Sequence, residues 1–322
     1  MITCAHWGWR SHVARFFKAL CIAATLALIF SAPSRAGSPV IISSKLSSES
    51  AMIGEMIRLV LSAAGIPTVD RLKIGATPVV RRALLDGEVD LYVEYTGNGG
   101  IFFNMPADPA WKDFAKGYEL GARLDYARNR IVWLTPAPAS NAWALAVRRD
   151  VAEAHHLRTL SDFARWVSGG GQVVLACSAE FANAGTLRSL EDTYGFKLTS
   201  DQLIVLSGGE TTAMITAAAA RTDGTNTAMV YATDGGIAAA NLVVLEDDKH
   251  DQPIYAPVPL VREAVLREYP QIATLVKPVM AGLDRETLQH LNERVQVDGE
   301  SIESVAKAYL EQKGLWRKGQ PK

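Results

Sequence analysis

Apolar and polar positions follow two different periods along this chain, and the switches between them mark out its elements. Val40-Ile41-Ile42 is a short apolar run closed by Ser43-Ser44 and reads as a first strand. From Glu49 to Ala64, Met52, Ile53, Met56, Leu59, Val60 and Ala63 recur at helical spacing, and Gly65 stops the run. Leu72-Lys73-Ile74 reads as a second strand, and Pro78 opens a helix through Leu85 that ends at Gly87. Val89, Leu91 and Val93 then alternate with Asp90, Tyr92 and Glu94, the pattern of a half-buried strand running into the turn Thr96-Gly97-Asn98-Gly99-Gly100. Strand–helix–strand–helix–strand predicts an α/β lobe with parallel strands. Tyr95 falls at the carboxyl end of the third strand, where open α/β sheets bind ligands. Its neighbouring glycines allow close approach to the backbone. A packed aromatic at a sheet edge is the alternative for this residue.

The pattern repeats further on. Residues 108–129 read as a helix with Trp111, Phe114, Tyr118 and Leu124 on one face, followed by a strand at Ile131-Val132-Trp133-Leu134. Thr135-Pro136-Ala137-Pro138 breaks it before a second apolar run, Ala142 to Val147. A second set follows: helix 161–167, the Gly169–Gly171 loop, strand 173–177, helix 184–194, strand 203–206, helix 210–220 and strand 228–231. The polar stretch Asp247 to Pro253 is the natural return to the first lobe, ahead of helices at 261–268, 285–294 and 300–313. The expected organisation is a signal peptide at 1–36, a discontinuous lobe 1 at 37–141 plus 246–322, and lobe 2 at 142–245. Two lobes joined by two crossings enclose a cleft that binds a small ligand and closes by hinge motion.

The amino terminus changes the picture of where this happens. His6, Arg10, His12, Arg15 and Lys18 precede an apolar run from Ala19 to Phe30, then Ser31-Ala32-Pro33-Ser34-Arg35-Ala36. This reads as a secretory leader cleaved after Ala36, since its apolar core is short of the ~20 residues that span a bilayer; an uncleaved membrane anchor is the alternative. Cleavage removes four basic residues and leaves 29 Lys+Arg against 34 Asp+Glu. That acidic balance argues against nucleic acid as a partner. Cys177 is the only cysteine after cleavage, and Val173-Val174-Leu175-Ala176 before it mark a buried strand residue.

No catalytic constellation stands out. His155 and His156 are adjacent and, on a helix, point in different directions; a solvated face fits them better than a metal pair. His250 lies in a charged loop and His290 on an amphipathic helix. There is no His-Glu-x-x-His, Gly-x-Ser-x-Gly or phosphate-loop motif, and Cys177 has no basic neighbour in sequence to activate it. No enzyme, cofactor or metal is expected.

Several segments together carry a family likeness: Gly54-Glu55-Met56, Gly75 to Arg81, Gly87 to Asn98, Trp133 to Pro138, Ser178-Ala179-Glu180-Phe181, Tyr231 to Gly235, and Pro253 to Pro257. In this order they span the chain after the leader. The chain resembles the periplasmic substrate-binding proteins of ABC importers for glycine betaine, choline and related osmoprotectants, an OpuAC-like group, and within it the stress-linked OsmF/YehZ type. The resemblance implies a type II periplasmic binding protein fold, α/β in class, with two lobes around a ligand cleft. It implies permease and ATPase partners at the inner membrane, a periplasmic location and a monomer.

The resemblance also implies an aromatic cage for a quaternary ammonium, at Tyr95, Trp143, Tyr231 and Tyr255. A trimethylammonium group has no N–H to donate, so ring faces with negative quadrupole potential recognise it, each contributing roughly 0.5–2 kcal/mol. Lys45, Asn98 and Thr233 are the matching polar positions, Lys45 and Asn98 toward a ligand carboxylate. An arginine that relatives carry just after the Glu-Phe pair is missing: Glu180-Phe181 is followed by Ala182, Asn183 and Ala184, and Arg188 lies a helical turn further on. Glycine betaine is therefore expected to bind weakly, with choline or another amine preferred. A different small zwitterion is the first alternative, and a secreted enzyme or sensor on the same scaffold the second.

Overall fold

The computed structural model describes Met1 and residues 37–183, 185–206, 211–317 and 319. Residues Pro39–Lys322 form one compact unit, and the leader expected over 1–36 lies, Met1 apart, outside the described residues.

Two five-stranded sheets organise this unit. The first has the order β2-β1-β3-β10-β4, built from β1 (Val40–Lys45), β2 (Thr68–Gly75), β3 (Leu91–Tyr95), β10 (Pro257–Arg262) and β4 (Ile131–Trp133). β1 pairs in parallel with β2 and β3, and β10 runs antiparallel between β3 and β4. The second has the order β7-β6-β8-β5-β9, from β5 (Trp143–Arg148), β6 (Leu175–Ser178), β7 (Leu203–Leu206), β8 (Thr227–Tyr231) and β9 (Leu242–Val244). The chain passes from one sheet to the other at 134–142 and returns at 245–256.

Helix α1 (Ser48–Ala63) starts where Ser47 caps it, its hydroxyl accepting from the Ser50 N–H. Its apolar residues are buried around most of the circumference, because the sheet covers one side and α7 (Ile272–Ala281), α8 (Arg285–Gln296) and α9 (Ile302–Gln312) cover the other. α2 (Thr77–Asp86) begins with Pro78 and ends on Gly87 in the left-handed conformation, as the pattern predicts. α3 (Phe114–Asn129) is shorter than expected, because Asp113 caps a fresh helix after a separate 3₁₀ turn at Pro109–Lys112. In the second half, α4 (Leu160–Ser168) and α5 (Thr186–Tyr194) pack on one face of the sheet and α6 (Thr211–Ala220) on the other.

Four differences from the sequence reading have physical causes. β3 is buried on both faces: Leu91 and Val93 join one core and Tyr92 the opposite one, so its alternation is not that of a half-exposed strand. β10 reads poorly as a strand because of Pro257 and Pro259. Their carbonyls instead accept from the Ala137 and Leu134 N–H groups, tying the first crossing to the sheet. α7 carries Pro278 in its interior and so looks broken in sequence. His155 and His156 are not in a helix but follow the one at Arg149–Ala154; His156 has φ 54° and His155 stacks on Trp166 at 5.1 Å.

Candidate functional site

The ends of β3, β5 and β8 and the second crossing supply the aromatic positions. Trp143 opens β5 and Tyr231 closes β8, and the two are register partners. Their ring centroids lie 6.3 Å apart at 37°, and Phe181 stands edge-on to Trp143 at 5.9 Å. Tyr255 is held by its backbone: its N–H donates to the Ser140 hydroxyl and its carbonyl accepts from the Asn141 N–H. Its ring lies against Gly97, where an added Cβ would sit 2.8 Å from Cε1. Glycine is required there because the ring uses the space a side chain would fill. Burial, and then the neighbouring Tyr231, push the Tyr255 phenol above its ordinary value. Trp143, Tyr231 and Tyr255 are all half-buried.

Tyr95 is different. It is only 5% exposed, and the Lys45 ammonium stands 4.0 Å from its ring centroid. One face of this ring already carries a cation. Its hydroxyl donates to Glu49 Oε1 at 2.8 Å, and burial together with that carboxylate raises the phenol well above its usual range.

Two buried carboxylates flank Tyr95, and pattern reading had assigned neither to the site. Glu49, in the first turn of α1, accepts from Tyr95, from Asn141 Nδ2 at 2.8 Å and from Asn292 Nδ2 at 2.7 Å. Glu94 has no exposure at all. Its Oε1 accepts from Lys45 Nζ at 2.6 Å, Asn98 Nδ2 at 2.7 Å and the Tyr95 N–H at 2.8 Å, and its Oε2 from the Tyr92 hydroxyl at 2.9 Å. Lys45 and Asn98, expected to face a ligand carboxylate, are thus both engaged by a carboxylate of the chain. The sequence signal for Glu94 is a polar residue beside Tyr95 on a strand that the topology makes central.

Thr233 is 1% exposed; its carbonyl accepts from Asn292 Nδ2 at 2.7 Å, while its hydroxyl finds no partner among the described residues. The Trp143 indole N–H is likewise buried without one. One face of α8 reads the loop after β8: Gln289 donates to the Ala232 carbonyl, Asn292 to that of Thr233, and Gln296 Oε1 accepts from the Gly235 N–H. Arg188 is 81% exposed and faces Asp192 at 3.6 Å, so it does not replace the missing arginine. Ala184 lies outside the described residues. A cavity of about 750 Å³ runs along the crossings, lined among others by Ser140, Trp143, Ala232, Glu246 and Ile254. It touches only one of the four expected rings. The Trp143–Tyr231 pair, with centroids 6.3 Å apart, offers ring faces of the kind that attract a methylated cation, which the cavity lining supplies only through Trp143. Among the described residues no group of three or more His, Cys, Asp or Glu is placed to hold a metal, and no helix is long and apolar enough to cross a membrane.

Residues 38–312 match the model of the substrate-binding domain of ABC-type glycine betaine transport systems. The chain belongs to this family. It is 51% identical over 289 residues to the glycine betaine-binding protein YehZ of Escherichia coli, covering 89% of this chain and 94% of that protein. It is 29% identical over 313 residues to a glycine-betaine-binding protein of Pseudomonas aeruginosa, covering 95% and 97%. The solved structure of apo YehZ from Escherichia coli superposes with a TM-score of 0.82 at 50% identity, over 87% of this chain and all of that one. The protein is therefore a substrate-binding component of the ABC importer class, with the two-lobed α/β fold that the motifs implied. Its family works with permease and ATPase subunits.

Proposed function

We propose that this protein captures a small quaternary ammonium compound, of the glycine betaine and choline class, in the cluster formed by Trp143, Tyr231 and Tyr255. Tyr95 lines the same site from behind Lys45. The observation that carries this reading is the half-buried pair Trp143 and Tyr231, register partners at the ends of β5 and β8 with ring centroids 6.3 Å apart. Three such faces supply roughly 1.5–6 kcal/mol when desolvated. The unpartnered Thr233 hydroxyl is suited to the ligand's polar end, a hydroxyl or carboxylate. The names of the relatives, which bind glycine betaine, support the ligand class.

The role is delivery of this ligand to the permease rather than catalysis. The protein works as a monomer in the periplasm, after cleavage of a leader near Ala36. Residues 37–141 with 246–322 form one lobe and 142–245 the other, and the lobes close on the ligand by bending at the two crossings.

Isothermal titration calorimetry with choline and glycine betaine tests the ligand class, using the wild type and Trp143→Ala. Saturable binding of at least one, weakened at least tenfold by the substitution at unchanged fold, is the expected result. Absence of binding for both, alongside a thermal shift with a ligand that lacks a quaternary nitrogen, sinks the reading.

A further inference from the structure

We propose that Asn292 is a positioning residue for ligand binding: its side-chain amide ties the carboxylate behind Tyr95 to the segment that follows β8, and so holds Tyr231 and Thr233 in register with Tyr95 before a ligand arrives. The inference rests on the site proposed above and adds a residue that stands outside its rings.

Asn292 lies on α8 and is 1% exposed. Its amide nitrogen carries two hydrogens, and each has an acceptor: Glu49 Oε2 at 2.7 Å and the Thr233 carbonyl at 2.7 Å. Both neighbours present oxygens that accept, so the amide cannot turn over without setting its own oxygen against them. This orientation leaves Asn292 Oδ1 buried without a partner among the described residues, a cost that the two donated bonds must outweigh. Glu49 carries the connection further, its Oε1 accepting from the Tyr95 hydroxyl and from Asn141 Nδ2, both at 2.8 Å. An unbroken run of hydrogen bonds thus leads from Tyr95 through Glu49 and Asn292 to the main chain just past Tyr231.

One bond alone would not fix that segment, and α8 adds two more. Gln289 donates to the Ala232 carbonyl at 2.7 Å, and Gln296 accepts from the Gly235 N–H at 3.1 Å. Gln296 Nε2 also donates to the hydroxyl of Ser48, next to Glu49, at 3.0 Å. Helical spacing puts residues 289, 292 and 296 on one face. A Cβ added at Gly235 would overlap the Glu293 backbone nitrogen, so α8 and the segment meet backbone to backbone. In the lobe division proposed above, α8 belongs to one lobe and residues 231–235 to the other. Asn141, on the first crossing, bonds to the same Glu49, which sets this seam beside a pivot of the bending, where displacement is least. The Thr233 hydroxyl and the Tyr231 ring are therefore presented at a set distance from Tyr95. A segment already held loses little freedom when the ligand binds, and the affinity is higher for it.

Calorimetric titration of choline and glycine betaine into the wild type, Asn292→Leu, Gly235→Ala and the double variant tests this, together with amide hydrogen exchange of each ligand-free protein. Asn292→Leu keeps the size of the side chain and removes both donors. Gly235 has φ −66°, so alanine suits its backbone and only the contact with α8 resists it. Gly235→Ala therefore lifts the segment from α8 with Asn292 and Glu49 intact. Each single variant should weaken binding about tenfold, the worth of one hydrogen bond. The double variant should lose little more than either, because both break the same seam. Amides 232–235 should exchange about tenfold faster in every ligand-free variant. A role confined to the packing of α8 would instead speed exchange along α8 and α1 and leave 232–235 at the wild-type rate. That result, affinities within about twofold of the wild type, or fully additive losses in the double variant overturns the proposal. If neither ligand binds the wild type, the quaternary-amine reading fails, and exchange at 232–235 alone decides the role of Asn292. If Asn292→Leu does not fold, Gly235→Ala carries both readouts, and wild-type values in it are equally decisive against the proposal.

Discussion

At the scale of the residue, the site is governed by how a few polar atoms are satisfied. Tyr95 is the clearest case: its ring, its hydroxyl and its N–H are all committed, to Lys45, Glu49 and Glu94 in turn. Replacing it by phenylalanine keeps the ring but leaves buried Glu49 one donor short. Tyr95→Phe should lower the unfolding free energy by about 1–3 kcal/mol in urea denaturation. A stability equal to the wild type would mean that water fills the vacancy. Gly97 is the second case, since its missing side chain is the space that the Tyr255 ring occupies. Gly97→Ala should displace that ring and weaken choline binding on the order of tenfold by calorimetry, with little change in melting temperature. Cys177 is the third: burial pushes its thiol up to about 11. It should resist a thiol-specific reagent in the native protein at pH 8 and react once guanidinium unfolds the chain.

At the scale of the element, α8 bridges parts of the molecule that the sequence keeps far apart. It packs on α1 on one side, and through Gln289, Asn292 and Gln296 it holds the loop that follows β8 on the other. Its ends are fixed by two depressed carboxylates. Asp284 caps it by accepting from the Thr287 N–H, and that hydrogen bond holds the Asp284 carboxyl below its ordinary 3.8. Glu300 pairs with Arg294 in its last turn, and this hydrogen bond holds Glu300 below its ordinary 4.5. Depressed carboxylates contribute stability that is complete above their unfolded values and is lost as pH falls through the folded ones. The urea midpoint should thus hold steady from pH 7 to about 5 and drop below about pH 4. Asp284→Asn keeps a cap that does not titrate, and its midpoint should drop less between pH 4.5 and pH 3 than that of the wild type. A parallel drop in both proteins would place the acid sensitivity elsewhere.

At the scale of the whole molecule, the antiparallel pairing of β5 with β8 sets Trp143 and Tyr231, distant in the chain, side by side. A ligand that binds the native state alone stabilises it by mass action, about 2.7 kcal/mol at a hundred times its dissociation constant. Choline and betaine should therefore raise the melting temperature in a concentration-dependent way, and the ratio of half-effective concentrations should follow their calorimetric affinities. A shift that saturates without any heat of binding would point to a non-specific salt effect instead.

Much of this architecture was legible in the order of residues alone. Periodicity located most of the strands and long helices, because a period of two or of 3.6 reflects which face an element buries. The motifs carried the family and with it the fold class. What failed in the sequence failed for tertiary reasons. Pro257 and Pro259 look like breakers until the neighbouring crossing is seen to donate its Ala137 and Leu134 N–H groups to their carbonyls, and Pro278 until it is seen inside an intact helix. Glu49 and Glu94 looked like ordinary polar residues at element edges, because burial depends on what folds over them. The sequence by itself determined the elements, the family and the aromatic side chains available for a cation. Only the tertiary structure decided that Tyr95 is buried while Trp143, Tyr231 and Tyr255 are half-buried, and that Lys45 and Asn98 are held by Glu94. Such pairings bring together side chains 49 positions apart for Lys45 and Glu94, and no local pattern specifies them.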